Sequence, residues 1–252
     1  MMHMKALISG ATSGIGRDMA MILSHMGYDL VIASRDTKKM QQVQKKLPTA
    51  VEIITVDLSC AKDCYKLYDM VTEQDIEILI NNAGFGAFGK FWEIALEKEL
   101  NMIDLNIKAV HILTKLFVKY FKERNKGYLL NVASSAAFLP GPLMATYYAT
   151  KAYVLRLTEA IKKELEKEGS DVKISVLCPG PVDTAFHERA NVAFRLKGMK
   201  SKTVAKYAIK KMLEGQMIII PGLTMKLAYM GERFLPKKAL LCCVYHFQNK
   251  KG

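Results

Sequence analysis

The chain has no apolar run of the roughly 18 to 20 residues that a membrane-spanning helix requires, and its late run from Ala239 to Phe247 stops far short. Low-complexity tracts and repeats of fixed period are also missing. With 50% apolar and 24% charged residues the composition is that of a globular chain and not a disordered one. The first ten residues carry no charged leader, apolar core and small-residue cleavage site in sequence, so export is not expected and a cytoplasmic location is. Cysteine is sparse and odd in number. Neither Cys60 with Cys64 nor Cys242 with Cys243 has a second element to complete a zinc site, and together with Cys178 they are read as reduced, mostly buried thiols. His3, His25, His111, His187 and His246 show no ligand-like pairing, which leaves metal chemistry without support. Acidic residues nearly vanish toward the end: from Arg195 to Gly252 there are 13 Lys or Arg against 2 Glu, a net +11 of the +13 of the whole chain. This field is read first as a solvated face and second as a place for an anionic partner, with no nucleic acid expected.

What the sequence does have is an alternation of short apolar runs and longer amphipathic stretches. Strands are predicted at Lys5 to Ser9, Asp29 to Ala33, Val51 to Val56, Ile76 to Ile80, Gly127 to Val132, Lys173 to Leu177 and Met217 to Ile220. Helical patterns fill the intervals, near Gly14 to Met26, Thr37 to Leu47, Ala61 to Glu73, Glu97 to Glu123, Thr146 to Glu168 and Lys202 to Glu214. The rhythm predicts an α/β fold: a doubly wound, Rossmann-type parallel sheet of about seven strands, helices on both faces, in one domain spanning residues 1–252.

Directly after the first strand stands Ser9-Gly10-Ala11-Thr12-Ser13-Gly14-Ile15-Gly16, followed by a helical pattern. Glycines there let the backbone turn sharply and approach a pyrophosphate, while the helix N-terminus offers free N–H groups and partial positive charge. A glycine turn without a ligand is the alternative; the order strand, loop, helix favours phosphate. The Gly-x-x-x-Gly-x-Gly spacing resembles the short-chain dehydrogenase/reductase family. Asn81-Asn82-Ala83-Gly84, Asp57 after the third strand, and Pro179-Gly180 with Thr184 extend the resemblance over nearly the whole chain. It implies a nicotinamide dinucleotide bordered by Gly10, Thr12, Ser13, Gly14, Ile15, Gly16, Asp57, Leu58, Asn82, Ala83, Gly84, Pro179, Gly180, Val182 and Thr184.

Tyr147 and Lys151 form a Tyr-x-x-x-Lys pair. Four residues apart on a helix they share a face, and a neighbouring cation favours phenolate over a phenol whose ordinary pKa is about 10. Tyr147 then becomes a usable general acid or base. Such pairs also arise by chance on surface helices, and Tyr148 has Ala152 at the matching offset, so it is read as packing or substrate lining. Ser134 lies at the C-terminal end of a strand, where an open parallel sheet places its ligand crevice. The resemblance gives Ser134 the stabilising hydroxyl, leaves Ser135 as a cap, and gives Asn106 a water that relays protons to Lys151; an exposed helical asparagine is the plainer alternative for Asn106. The implied tetrad is Asn106, Ser134, Tyr147 and Lys151, with Tyr147 and Lys151 also touching the cofactor.

For the choice of nucleotide, Ser34 stands where NAD-using relatives carry an acid, and Arg35 offers the 2′-phosphate of NADP(H) a bidentate partner. Arg17 is a second candidate, and Asp36 is read as the N-cap of the next helix. The expectation is an NADPH-dependent oxidoreductase acting on a carbonyl or secondary alcohol. An epimerase or dehydratase using the same pair, or a non-catalytic NADPH-binding regulator, are the alternatives. Within the lid expected at residues 181–215, Phe186, Val192, Ala193, Phe194, Leu196 and Met199 favour a lipophilic substrate. A homodimer or homotetramer is implied by the resemblance. The basic amphipathic segment 223–252, interrupted by Pro236, is expected to cover the cleft or pack in an oligomer, ahead of weak peripheral membrane contact.

Overall fold

The short apolar runs become parallel strands because residues alternating along them are buried on both faces. In the computed structural model, which describes residues 4–184, 198–231 and 236–249, β1 (Lys5–Ser9) leads into α1 (Gly14–His25), β2 (Asp29–Ser34), α2 (Thr37–Gln44), β3 (Val51–Thr55), α3 (Ala61–Val71) and β4 (Ile76–Asn81). Then come α4 (Leu96–Ile103), a π-helical turn (Asp104–Ala109), α5 (Val110–Glu123), β5 (Tyr128–Val132), α6 (Ala145–Lys167) and β6 (Lys173–Leu177). A small parallel pair, β7 (Val182–Asp183) with β8 (Met199–Lys200), precedes α7 (Ser201–Leu213), β9 (Ile218–Ile219), α8 (Leu223–Gly231) and α9 (Lys237–Asn249).

The main sheet has seven parallel strands in the order β3-β2-β1-β4-β5-β6-β9. This is the doubly wound, Rossmann-type single domain that the sequence predicts. The chain winds outward from β1 to β3 and returns to lay β4 against β1, so the sheet's switch point falls between them and opens a crevice at their C-terminal ends. Leu30 and Ile32 of β2 join a core with Met19 and Leu23 of α1 and Val204 and Ile209 of α7. Val31 and Ala33, between them, join the opposite core with Leu67 of α3 and Phe117 and Phe121 of α5.

Three expectations change. The single helix from Glu97 to Glu123 is interrupted by the π-helical turn, which shifts the face that α5 presents relative to α4. The last strand contracts to Ile218–Ile219 because only Val176 and Leu177 of β6 offer it a partner edge. The cysteines are not mostly buried: Cys64 and Cys178 are, but Cys60 caps a helix at the surface and Cys242 and Cys243 lie on the outer side of α9. Along that helix Val244 and Gln248 are buried and Leu240 is half-buried, and Leu241 borders a groove with Phe138 and Ala152. Among the described residues no helix is long and apolar enough to cross a membrane, and no cluster of acidic, His or Cys side chains is arranged to hold a metal.

Candidate active site

A cleft of about 760 Å³ follows the C-terminal edge of the sheet across the switch point, from Arg35 and Asp57 at one end to Ser134, Tyr147 and Tyr148 at the other. The glycine loop forms its floor. Gly10 holds a left-handed φ of 69°, and a Cβ on Gly16 would lie 2.3 Å from Asn82 Nδ2 and 2.6 Å from the Gly10 carbonyl oxygen. Asn82 Nδ2 donates to the carbonyls of Ser9 (3.1 Å) and Gly10 (3.0 Å), so the loop after β4 clamps the loop after β1. Ser13 precedes α1 without a side-chain cap, leaving first-turn N–H groups for a ligand. A long anion-bearing ligand fits this cradle.

Of the residues assigned to the cofactor, Thr12, Gly14, Ile15, Ser34, Leu58, Ala83, Gly84, Pro179, Gly180, Val182 and Thr184 line the cleft. Gly16 and Asn106 do not line it; they act from behind its wall. Arg35 lies in the cleft with its guanidinium 3.6 Å from the Asp57 carboxylate, both well exposed, a pairing of little net strength. Burial opposes ionisation of Asp57, but hydrogen bonds from Ser59 and the charge of Arg35 outweigh it and hold the carboxyl below its ordinary range. Asp36 is the N-cap that the sequence suggests, its Oδ1 accepting from the Lys39 amide at 3.0 Å. Arg17 is turned away to Asp18 (2.9 Å), and lies outside the cleft lining.

At the other end, α6 brings Tyr147 and Lys151 to one buried face, and β5 delivers Ser134 to them. The Ser134 hydroxyl hydrogen-bonds Tyr147 and also accepts from the Ala136 amide at 3.1 Å, so Ser134, and not Ser135, caps the short 3₁₀ turn that follows. Lys151 Nζ donates to the Val132 carbonyl at 2.9 Å and stands 5.8 Å from the centre of the Tyr147 ring. The expected depression of the phenol pKa is reversed here. Burial pushes Tyr147 well above an ordinary phenol, against the opposing Ser134 hydrogen bond, and burial brings Lys151 down to about 8.

Asn106 is wholly buried, not an exposed helical asparagine. Its Oδ1 accepts from the Phe85 amide (3.1 Å), and its Nδ2 donates to the Phe85 carbonyl (2.9 Å) and Thr150 Oγ1 (3.1 Å). A Cβ on Gly84 would lie 2.9 Å from Asn106 Oδ1 and 3.4 Å from Lys151 Nζ, so the glycine keeps both groups within reach of the cleft. Below them Asn81, Thr114, Asn131 and Thr158 form a buried hydrogen-bonded chain joining β4, α5, β5 and α6.

Sequence reasoning missed Phe85, Lys98, Asn101, Leu105 and Met144, all in the cleft wall. Lys98, Asn101 and Leu105 recur at helical spacing on the segment leading to Asn106, a periodicity legible once that segment is placed. Tyr148 lines the cleft as expected, with its hydroxyl accepting from Gln248 of α9; burial pushes its phenol up to about 12. The lid residues Phe186, Val192, Ala193, Phe194 and Leu196 lie outside the described residues, where only the flanking β7 and β8 and Met199 can be placed.

The family model of the short chain dehydrogenases matches residues 4–193. An uncharacterized oxidoreductase of Staphylococcus epidermidis is 30% identical over 194 residues, 76% of this chain and 84% of the relative. Among solved structures, a short-chain dehydrogenase from Sphingobium yanoikuyae in complex with NADPH superposes with a TM-score of 0.82 at 29% identity, covering 91% of this chain and 93% of the other. One from Burkholderia phymatum in complex with NAD reaches 0.83 at 25%, covering 90% and 92%. Sheet order, glycine loop and match across three quarters of the sequence lead to one conclusion: this chain belongs to the short-chain dehydrogenase family and is an oxidoreductase of that family.

Proposed function

We propose that the protein is an NADPH-dependent oxidoreductase that interconverts a carbonyl and a secondary alcohol of a lipophilic small molecule, with Tyr147 as general acid and base. The observation that carries this reading is the Ser134–Tyr147 hydrogen bond at the sheet's C-terminal edge, beside a buried Lys151. The nicotinamide, when bound, supplies or accepts the hydride. The glycine loop, Asn82 and the α1 N-terminus hold its phosphates, and Asp57 and Leu58 border its adenosine half. Arg35, with Ser34 in place of an acid, is assigned the 2′-phosphate, for which it exchanges its weak contact with Asp57. Pro179, Gly180, Val182 and Thr184 border the nicotinamide half.

Ser134 and Tyr147 then hold the substrate oxygen between two hydroxyls. The high pKa of Tyr147 keeps it protonated at neutral pH, ready to give its proton to the oxygen as a carbonyl is reduced. Lys151, with its pKa brought down to about 8, exchanges protons readily near neutrality and replenishes the tyrosine. Asn106 fixes the wall beside Lys151 on the side from which the replacement proton arrives.

The substrate end supports the lipophilic preference: Phe85, Met144 and Tyr148 face it. Assembly into a dimer or tetramer is proposed through α4, where Leu96, Leu100 and Ile103 are exposed in one stripe. The test is consumption of NADPH and NADH against a panel of aliphatic, steroid-like and aromatic ketones. Turnover with NADPH that disappears in Tyr147→Phe is expected; tight NADPH binding without turnover on any member would point to a regulator instead.

A further inference from the structure

The two C-terminal helices each show two faces. The inner face of α8 carries Met225, whose side chain would meet a Cβ on Gly180 at 2.8 Å, and Tyr229, whose ring is 4.3 Å from that of Phe138. The inner stripe of α9 is Leu240, Val244 and Gln248, and Gln248 donates to Tyr148. Gly180 and Tyr148 both line the cleft, so both helices are anchored at its substrate end. These contacts occupy only half of each helix.

On the outer face of α8 stand Leu223, Leu227 and Met230, exposed to 78%, 68% and 62% and spaced at i, i+4 and i+7. α9 adds exposed Tyr245 and Phe247, which flank its inner stripe, while Leu241 borders a groove against the body. Neither helix contains an acidic residue, while Lys226, Lys237 and Lys238 supply positive charge. We propose that these exposed apolar side chains and lysines dock the protein on the surface of an anionic lipid bilayer, with the cleft mouth against the membrane.

Charge complementarity selects this occupant. A second copy meeting the same patch would bring lysines to lysines with no carboxylate from either helix to neutralise them. An anionic leaflet accepts the lysines at its headgroups and the leucines and aromatic rings at its acyl boundary. The helices lie on the bilayer and do not cross it, since a 13-residue helix reaches only about 20 Å. The docking is independent of the hydride chemistry and is tested without it.

The purified full chain is sedimented with vesicles of phosphatidylcholine alone and of phosphatidylcholine with phosphatidylglycerol, across a salt series. Pelleting with the anionic vesicles that fades as salt rises is expected. The double variant Lys237→Gln/Lys238→Gln is expected to bind those vesicles about 30-fold more weakly, from about fivefold per lysine. Leu227→Ser/Tyr245→Ser is expected to bind neither vesicle while keeping the wild-type unfolding midpoint, which shows that it is folded. Equal supernatant fractions with and without phosphatidylglycerol at low salt overturn the proposal. So does a dimer, seen by analytical ultracentrifugation without lipid, that Leu227→Ser/Tyr245→Ser converts to monomer.

Discussion

Replacing Asn106 with alanine removes three hydrogen bonds from a site with no access to water. The Phe85 amide and carbonyl lose partners at 3.1 and 2.9 Å, and Thr150 Oγ1 loses a donor at 3.1 Å. Each lost bond costs about 1 kcal/mol, and stranded backbone groups raise this toward about 2, so the variant is expected to lose about 3 to 5 kcal/mol in all. In a chain of this size that corresponds to a fall of about 6 to 20 °C in unfolding midpoint. Urea titration followed by circular dichroism measures the first figure and a thermal scan the second. Asn106→Asp keeps the acceptor for Phe85 but sets a carboxylate against the Phe85 carbonyl and beside Lys151. It should therefore fold less stably than wild type while raising the lysine's pKa. Should Asn106→Ala lose less than about 1 kcal/mol with an unchanged urea slope, the π-helical turn is held by something other than this carboxamide.

Tyr147→Phe is expected to abolish turnover with NADPH affinity almost intact, whereas Tyr148→Phe spares the chemistry; single-turnover kinetics and cofactor fluorescence titration separate the two. Arg35→Ala should weaken NADPH by about 1.5 to 3 kcal/mol, roughly ten- to a hundred-fold, and leave NADH nearly unchanged; equal losses for both would show that Arg35 does not read the 2′-phosphate. Lys151 has a folded pKa of about 8, below its unfolded value, so between pH 8 and 10 the unfolded chain binds more protons and this group makes stability rise with pH by up to about 1.4 kcal/mol per unit. Burial raises the Cys64 thiol to about 11, which works the other way above pH 9, so the effect is read as the difference between wild type and Lys151→Met in urea titrations at each pH. Gly16→Ala should shift the Asn82 clamp and sharply weaken cofactor binding, measured by calorimetry, because its Cβ has no room beside Asn82 and the Gly10 carbonyl.

Most of the sheet was legible because buried parallel strands write themselves as uninterrupted apolar runs, as Ile78-Leu79-Ile80 does. The glycine loop was legible from its own geometry, whereas Asn82 and the pairing of Tyr147 with Lys151 and Ser134 were legible through the family resemblance. What escaped depends on partners distant in sequence. Asn106 interrupts an apolar pattern, but nothing local reveals that its carboxamide is bonded to Phe85 and Thr150, or that it sits in a π turn. Ser134 and Ser135 are equivalent as letters, and the Ala136 amide decides between them. The tyrosine's pKa followed the pairing rule on paper, whereas burial dominates in the fold. The exposure of Cys242 and Cys243 turned on how little of α9 meets the body.

The buried chain of Asn81, Thr114, Asn131 and Thr158 also bears on how the sheet finds its alignment. Asn81 and Asn131 are register partners on β4 and β5, linked at 2.9 Å, among neighbours that are almost all interchangeable Ile, Leu and Val. Apolar strands alone could slide by two residues and still present the same faces. A slip here would strand two carboxamides and two threonine hydroxyls in an apolar interior, at about 1 to 3 kcal/mol for each unpaired group. Misaligned intermediates are thereby raised above the correct one before any ligand arrives, so the folding chain is steered to the single alignment that brings Asn82 and Ser134 to the same edge.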